Sequence, residues 1–215
     1  MFLESGFLAF GDLEPGDHGY HGVLRKSGEN NNPMRRSKLI AEVDAYAARF
    51  PEEAARARQF RDFASRHANC FERRCLPGHV TASAWIVDTT ESRVLLTRHR
   101  KLGRWLQPGG HSDGEPDSLA VALREAREET GLELAACSNR PMDIDIHEIP
   151  PLGTEPAHRH YDLRFALNAR SDAYTVSEES HELAWVRFDA LESYTSEASI
   201  LRMRRKWLAG RWLRG

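Results

Sequence analysis

Apolar residues recur at helical spacing from Ser37 onward, at Leu39, Ile40, Val43, Tyr46, Ala47 and Phe50. That period predicts an amphipathic helix. Pro51 suits the first position of a second helix, with Glu52 and Glu53 favourable at its positive end. Phe60, Phe63, Ala64 and His67 continue its apolar face, so residues 37–76 predict a helical hairpin. From His79 to Val87 the period changes: Val80, Ala82, Ala84 and Ile86 alternate with Thr81, Ser83 and Trp85, as in a strand. Arg93–Thr97 predicts its neighbour, and Met142–Ile149 alternates Ile144, Ile146 and Ile149 with Asp143, Asp145 and His147. His158–Phe165 and Leu183–Phe188 predict further strands. Ser196–Gly215 predicts a closing helix with Ile200, Met203, Trp207 and Leu208 on one stripe. Strands and helices mixed in this order predict an α/β fold, an α/β/α sandwich around a mixed sheet.

Between the strands lies Pro108–Leu132, a glycine loop, one helix and a glycine stop. Asp117 or Ser118 can cap the helix, and Gly131 stands where a left-handed C-terminal cap is expected. Leu119, Ala122, Leu123, Ala126 and Thr130 make a stripe that faces a core. Glu125, Glu128 and Glu129 are spaced i, i+3, i+4 on one face. Like charges so placed repel by a few tenths of a kcal/mol per pair, roughly, on an exposed helix. A hard divalent cation removes that conflict, whereas a solvated acidic face merely tolerates it, partly paired by Arg124 and Arg127.

Composition narrows the classes. With 40% hydrophobic and 29% charged residues in 215, the chain fits a soluble globular protein of one domain with an appendage. A net charge of −2 supplies no bulk attraction to nucleic acid or membrane, and no apolar run reaches the ~18 residues of a membrane span. Residues 1–36, whose part from 11 onward is rich in Gly, Asp, Asn and Pro, predict a disordered leader, with Met34 an alternative start. Three cysteines, an odd count, fit a reducing cytoplasm better than a disulfide framework. His67, Cys70, Cys75 and His79 could form a zinc set, but the four-residue gap between the cysteines is loose and buried core cysteines are commoner.

The central stretch resembles the Nudix box, G-x5-E-x7-R-E-U-x-E-E-x-G-U. Gly110, Arg124-Glu125, Glu128-Glu129 and Gly131-Leu132 match, and Ala126 fills an apolar position. Pro116 departs from the isolated glutamate, flanked by Glu115 and Asp117, either of which could stand in to support Arg124. Trp105-Leu106-Gln107-Pro108 resembles the family's approach to the box, and the resemblance covers about residues 79–190. It implies a Nudix domain over 77–215 after the hairpin. It also implies Mg²⁺ or Mn²⁺ held by Glu125, Glu128 and Glu129 with the Gly109 carbonyl, and Arg124 steadying the glutamates. Glu179, or else Glu178, in the loop before the tryptophan-bearing strand is implied as the group that activates water.

The implied activity is cleavage of a pyrophosphate bond in a nucleoside diphosphate linked to another group, such as ADP-ribose or a nucleotide sugar. The basic loop Arg98, Arg100, Arg104 offers a grip on phosphoryl oxygens. His147, His158 and His160 could line the pocket or bind a metal, although strand-pairing histidines are commoner. The partner expected is a small nucleotide-like diphosphate, without nucleic acid or membrane; the hairpin packs on the domain or on a second subunit, as in a homodimer. The arginines of the last helix could instead serve a membrane or nucleic acid, a weaker reading than a packed helix with solvated arginines. Rival functions are a Nudix-fold isopentenyl-diphosphate isomerase, which needs a placed cysteine and glutamate, and a non-catalytic nucleotide-binding module.

Overall fold

The computed structural model describes residues 33–99, 103–151, 153, 155–176 and 180–210. Helix α1 (Pro33–Arg49) begins four residues ahead of the predicted hairpin, so Pro33 to Arg36 are helical rather than part of a leader. Residues 1–32 lie outside the described residues. After a single 3-10 turn at Pro51–Glu53, helix α2 (Ala54–Arg66) runs back along α1. Leu39, Val43, Tyr46, Phe50 and Phe60 are fully buried, as the helical period requires.

Among the described residues, eight strands form one mixed sheet: β1 (Gly78–Val87), β2 (Arg93–His99), β3 (Trp105–Leu106), β4 (Gly109–His111), β5 (Leu134–Ala136), β6 (Asp143–Ile149), β7 (His158–Ala169) and β8 (Ser180–Arg187). The path β3-β2-β1-β7-β5 carries β4 on β1, β6 on β7 and β8 on β2. The long central pair, β1 with β7, is parallel; β6 and β4 join it antiparallel. Helix α3 (Ser118–Thr130) crosses β1 and β4, followed late in the chain by α4 (Leu191–Tyr194) and α5 (Ala198–Leu208).

Each face of the sheet has its own cover. Val80, Ala82, Ala84 and Ile86 share a core with α1, α2 and α3 residues such as Phe60, Val121 and Ala126. There the Phe63 ring stacks on Tyr161 of β7, with centroids 3.8 Å apart. Trp85, Val87, Val94 and Leu96 face the other way, onto Ile200, Met203 and Trp207 of α5. Every residue of β1 is therefore buried, although its sequence alternates. Leu208, assigned above to the buried stripe of α5, is 64% exposed. Lys206 takes an inward place, reaching Asp143 at 2.5 Å and Glu53 at 2.7 Å. The helix ends at Leu208 rather than running on, and residues 211–215 lie outside the described residues.

Candidate active site

The second face of the sheet is apolar under α5 and polar at its other end. On β1 the inward order is His79, Thr81, Ser83, then Trp85 and Val87, because strand side chains alternate. The parallel register sets His79 beside His160, Thr81 beside Asp162 and Ser83 beside Arg164. On the far side of β7, β6 brings His147 to His160 and Asp145 to Asp162. Across from it, β4 places His111 opposite Thr81 and Gly109 opposite Ser83. Three polar rows thus cross the sheet. Ile149 belongs to this face with His147, not with Ile144 and Ile146 as the alternation above had it, and it lines the cavity.

That cavity, about 720 Å³, is walled by the rows on one side and by α3 and the β4 turn on the other. Glu125 and Glu128 line it with Gly109, Gly110, Arg73 and Arg124. Gly109 is sterically required, since a Cβ there would lie 2.3 Å from Ser83 Cβ and 2.7 Å from the Ala82 carbonyl, whereas a Cβ on Gly110 would displace the Glu125 carboxylate, 2.1 Å away. Glu129 is turned inward, 9% exposed, and its Oε1 accepts the Gly109 N–H at 2.8 Å. Glu125 and Glu129 therefore meet the glycine turn, and Glu128 shares the cavity wall with it.

Arg124 Nη2 donates to the His111 carbonyl at 2.8 Å and to Glu125 Oε1 at 2.7 Å. Asp117 caps α3 by accepting from Ala120 N–H at 3.1 Å and pairs with Lys38, while Glu115 Oε1 accepts the Asp117 N–H. Gly131 closes the helix with φ 67°, as the sequence predicted.

The expected phosphate grip is placed differently. Arg98 lies 3.9 Å from Glu182 and Arg104 3.0 Å from Glu197, and neither lines the cavity. Arg100 lies outside the described residues, as do Glu178 and Glu179. The arginines at the wall are Arg124 and Arg73, the latter gripped by both oxygens of Asp113 at 2.6 and 2.8 Å. Sequence reading gave Arg73 no role because its approach depends on the loop between α2 and β1.

Histidines gather where the rows end. His79 stands 4.9 Å from His111, 4.8 Å from His160 and 4.9 Å from His158, ring centre to ring centre, and His147 is 5.3 Å from His160. Burial, reinforced by His158, lowers the His79 pKa to about 4; burial and Arg73 lower that of His111 to about 4. Burial and the neighbouring imidazoles push His160 down to about 2, so these rings are neutral at physiological pH. Of the three histidines named above for a pocket or metal, His147 and His160 line the cavity, while His111 was not singled out. The alternation did place His79 and His147 on definite faces, but the register that unites them spans three strands. Cys70 and Cys75 are buried in the core, where burial pushes the Cys70 thiol up to about 12, and no described cysteine lines the cavity. The zinc set of His67, Cys70, Cys75 and His79 is not assembled.

Residues 77–207 match the NUDIX domain family, and the chain belongs to it. It is 30% identical over 102 residues to m7GpppN-mRNA hydrolase NUDT17 of Xenopus laevis, covering 45% of this chain and 34% of that protein. It is 30% identical over 115 residues to a probable DHNTP pyrophosphohydrolase of Lactococcus lactis subsp. cremoris, covering 53% of this chain and 63% of that protein. The chain thus spans about a third and about three-fifths of the lengths of these curated relatives. A NUDIX-family hydrolase of Clostridium perfringens, 21% identical, aligns over 61% of this chain and 97% of its own with a TM-score of 0.49. No helix among the described residues is long and apolar enough to cross a membrane.

Proposed function

We propose that this protein is a divalent-metal-dependent pyrophosphohydrolase acting on a nucleoside diphosphate linked to another group. The observation that carries the reading is the shared wall of one cavity, where Glu125, Glu128 and the Gly109-Gly110 turn face Arg73 and Arg124. Its volume of about 720 Å³ suits a small molecule, within the roughly 300–1,000 Å³ of ligand pockets. Glu125, Glu128 and Glu129, with the Gly109 carbonyl, are the residues that would hold Mg²⁺ or Mn²⁺. Such an ion supplies neutralisation of diphosphate charge and a more acidic bound water.

The chain's own groups do the rest. Arg124, tied to Glu125 and to the His111 carbonyl, fixes the carboxylate wall. Arg73 and Arg124 face the phosphoryl oxygens with guanidinium donors, and His160 lies on the sheet-side wall beneath the bound diphosphate. Glu179, with Glu178 second, takes the proton of the attacking water; attack at one phosphorus breaks the P–O–P bridge and releases two phosphate-ended products. This assignment is supported by the start of β8, where Ser180 pairs with His99, itself a cavity residue. The relatives' names, an mRNA hydrolase and a pyrophosphohydrolase, support the reaction class.

Nucleoside diphosphate derivatives and nucleoside triphosphates, offered with Mg²⁺ and with Mn²⁺, test the reading. Product release by the native chain that disappears in Glu128→Gln supports it, and equal turnover in the two proteins overturns it.

A further inference from the structure

The carboxylate wall accounts for one side of the cavity and leaves the histidine floor without a task. Among the described residues, His79, His111 and His160 are the group whose ligand atoms converge, all within 4.8 Å of one another. His79 is 1% exposed, and neither of its ring nitrogens has a hydrogen-bond partner. A buried imidazole is normally satisfied, because stripping it of water without replacement is costly. Stacking against other imidazoles gives His79 apolar contact that phenylalanine or leucine would give without that cost. The polar atoms therefore ask for a partner that the described residues do not provide.

We propose that His79, His111 and His160 bind one transition-metal ion of the zinc class, at a site separate from the carboxylates and opening onto the same cavity. Imidazole nitrogen suits Zn²⁺, Co²⁺ or Ni²⁺, whereas Mg²⁺ prefers the oxygens of the opposite wall. Tetrahedral zinc–nitrogen bonds of about 2.0–2.1 Å set ligand nitrogens about 3.3 Å apart, so the trio closes by up to about 1.5 Å. Three protein ligands leave a fourth position open, and here it faces the cavity through His111 and His160, both wall residues. An oxygen of a bound phosphate is the ligand that position would take.

Neighbouring groups orient the trio. His158 Nδ1 lies 2.9 Å from the Pro156 carbonyl, which can only accept, so that nitrogen carries the proton. In the arrangement in which His158 Nε2 accepts from His160 Nε2 at 3.3 Å, the lone pair of His160 is on Nδ1. A histidine fixed in one tautomer by its other nitrogen is the arrangement metal-binding imidazoles adopt. Burial reinforces this by keeping the rings neutral.

The test uses the full chain and the metal alone, and is independent of turnover. Protein freed of metal by chelation is titrated with Co²⁺ and, separately, loaded with Zn²⁺, dialysed and assayed for retained ion. One ion per chain, with visible absorption of nitrogen-bound Co²⁺, is expected in the native protein. The same result is expected in a Glu125→Gln, Glu128→Gln double variant. Loss of that absorption and of retained Zn²⁺ is expected in His111→Asn and in His160→Gln, with far-ultraviolet dichroism unchanged. His147→Gln retains the ion. His79→Gln is expected to lose it too, but the half-buried His111 keeps the test decisive should that buried change unfold the chain. Binding that vanishes with the glutamates, or that survives the histidine changes, overturns the proposal, as does a native chain that retains no Zn²⁺. Failure of the hydrolase reading would leave these metal measurements unaffected.

Discussion

Two polar regions lie on the same face of the sheet, and they are built on opposite terms. Beneath α5, Asp143 is met by Arg202 at 2.6 Å, Lys206 at 2.5 Å and Arg164 at 3.7 Å. Asp145 pairs with Arg164 and Arg202, Asp162 with Arg164, and Glu53 with Lys206 and Arg56. The Tyr46 hydroxyl donates to Glu53 and accepts from Lys206, tying the N-terminal hairpin to the last helix. Every buried charge there has an opposite within reach, although Arg164 Nη1 meets Asp143 only as an ion pair at 3.7 Å, without a hydrogen bond. One row further on, the cavity gathers carboxylates from one side and imidazoles from the other, and the nitrogens of neighbouring His79 are unmatched. A buried charge met on all sides is fixed in place and fastens elements together; a polar group left unmet is open to a ligand. The physical difference is saturation, since unpaired buried polar groups are costly and paired ones need nothing further.

The contrast can be broken most sharply at the cavity. Glu128→Gln should lower turnover by at least about 10²-fold, the lower end for a group acting on the reacting water. Its melting temperature in metal-free buffer should hold or rise slightly, because a like charge near Glu125 and Glu129 is gone. A variant that melts earlier while keeping its rate would place Glu128 with the saturated region instead.

Asp143→Ala attacks the other side. Three cations would lose their shared carboxylate, and breaking a buried pair costs about 3–5 kcal/mol. Thermal or denaturant melting should show that loss, with both the hairpin and α5 loosened in hydrogen exchange. A shift of under about 1 kcal/mol would mean the network is not the fastening described.

Asp88 carries the same logic to the β1–β2 turn. Burial works to raise its pKa, but hydrogen bonds from Thr90, Arg93 and Ser92 outweigh it and lower the value from 3.8 to about 2. A folded pKa below the unfolded one gives stability that is present above about pH 4 and lost as pH falls through about 2. Roughly 2 kcal/mol is at stake, at about 1.4 kcal/mol per unit. Asp88→Asn should therefore flatten the acid limb of a stability–pH curve between those values; an unchanged limb counts against the assignment.

The smallest expected effect is at the helix that carries the glutamates. Asp117→Ala removes the α3 cap and the Lys38 pair, costing about 1 kcal/mol in melting. Turnover should be unchanged, because Arg124 is held by the His111 carbonyl and Glu125. A loss of activity at unchanged stability would show that Asp117, rather than that carbonyl, supports Arg124.

Much of this architecture is written in local pattern. The 3.6-residue period of Leu39, Val43 and Tyr46, the glycine that stops α3 and the i, i+3, i+4 glutamates are fixed by neighbours within one or two turns. Short-range geometry decides them, so the hairpin, the strands and the carboxylate face are legible without a fold. The alternation of β1 also fixed which residues point together. What it could not fix is what covers the second face. Trp85 meets α5, Thr81 and Ser83 bond Asp162 at 3.0 and 2.7 Å, and His79 meets histidines from β4 and β7. The arginines of α5 read from sequence as solvated, yet Arg202 turns onto Asp143, which lies 59 residues earlier in the chain. Pairing across strands depends on register, and register depends on the whole sheet closing around its cores. The sequence alone therefore determined the elements and the acidic helix face, while the meeting of Arg73 with the cavity, the saturation of Asp143 and the histidine cluster were decided by long-range packing.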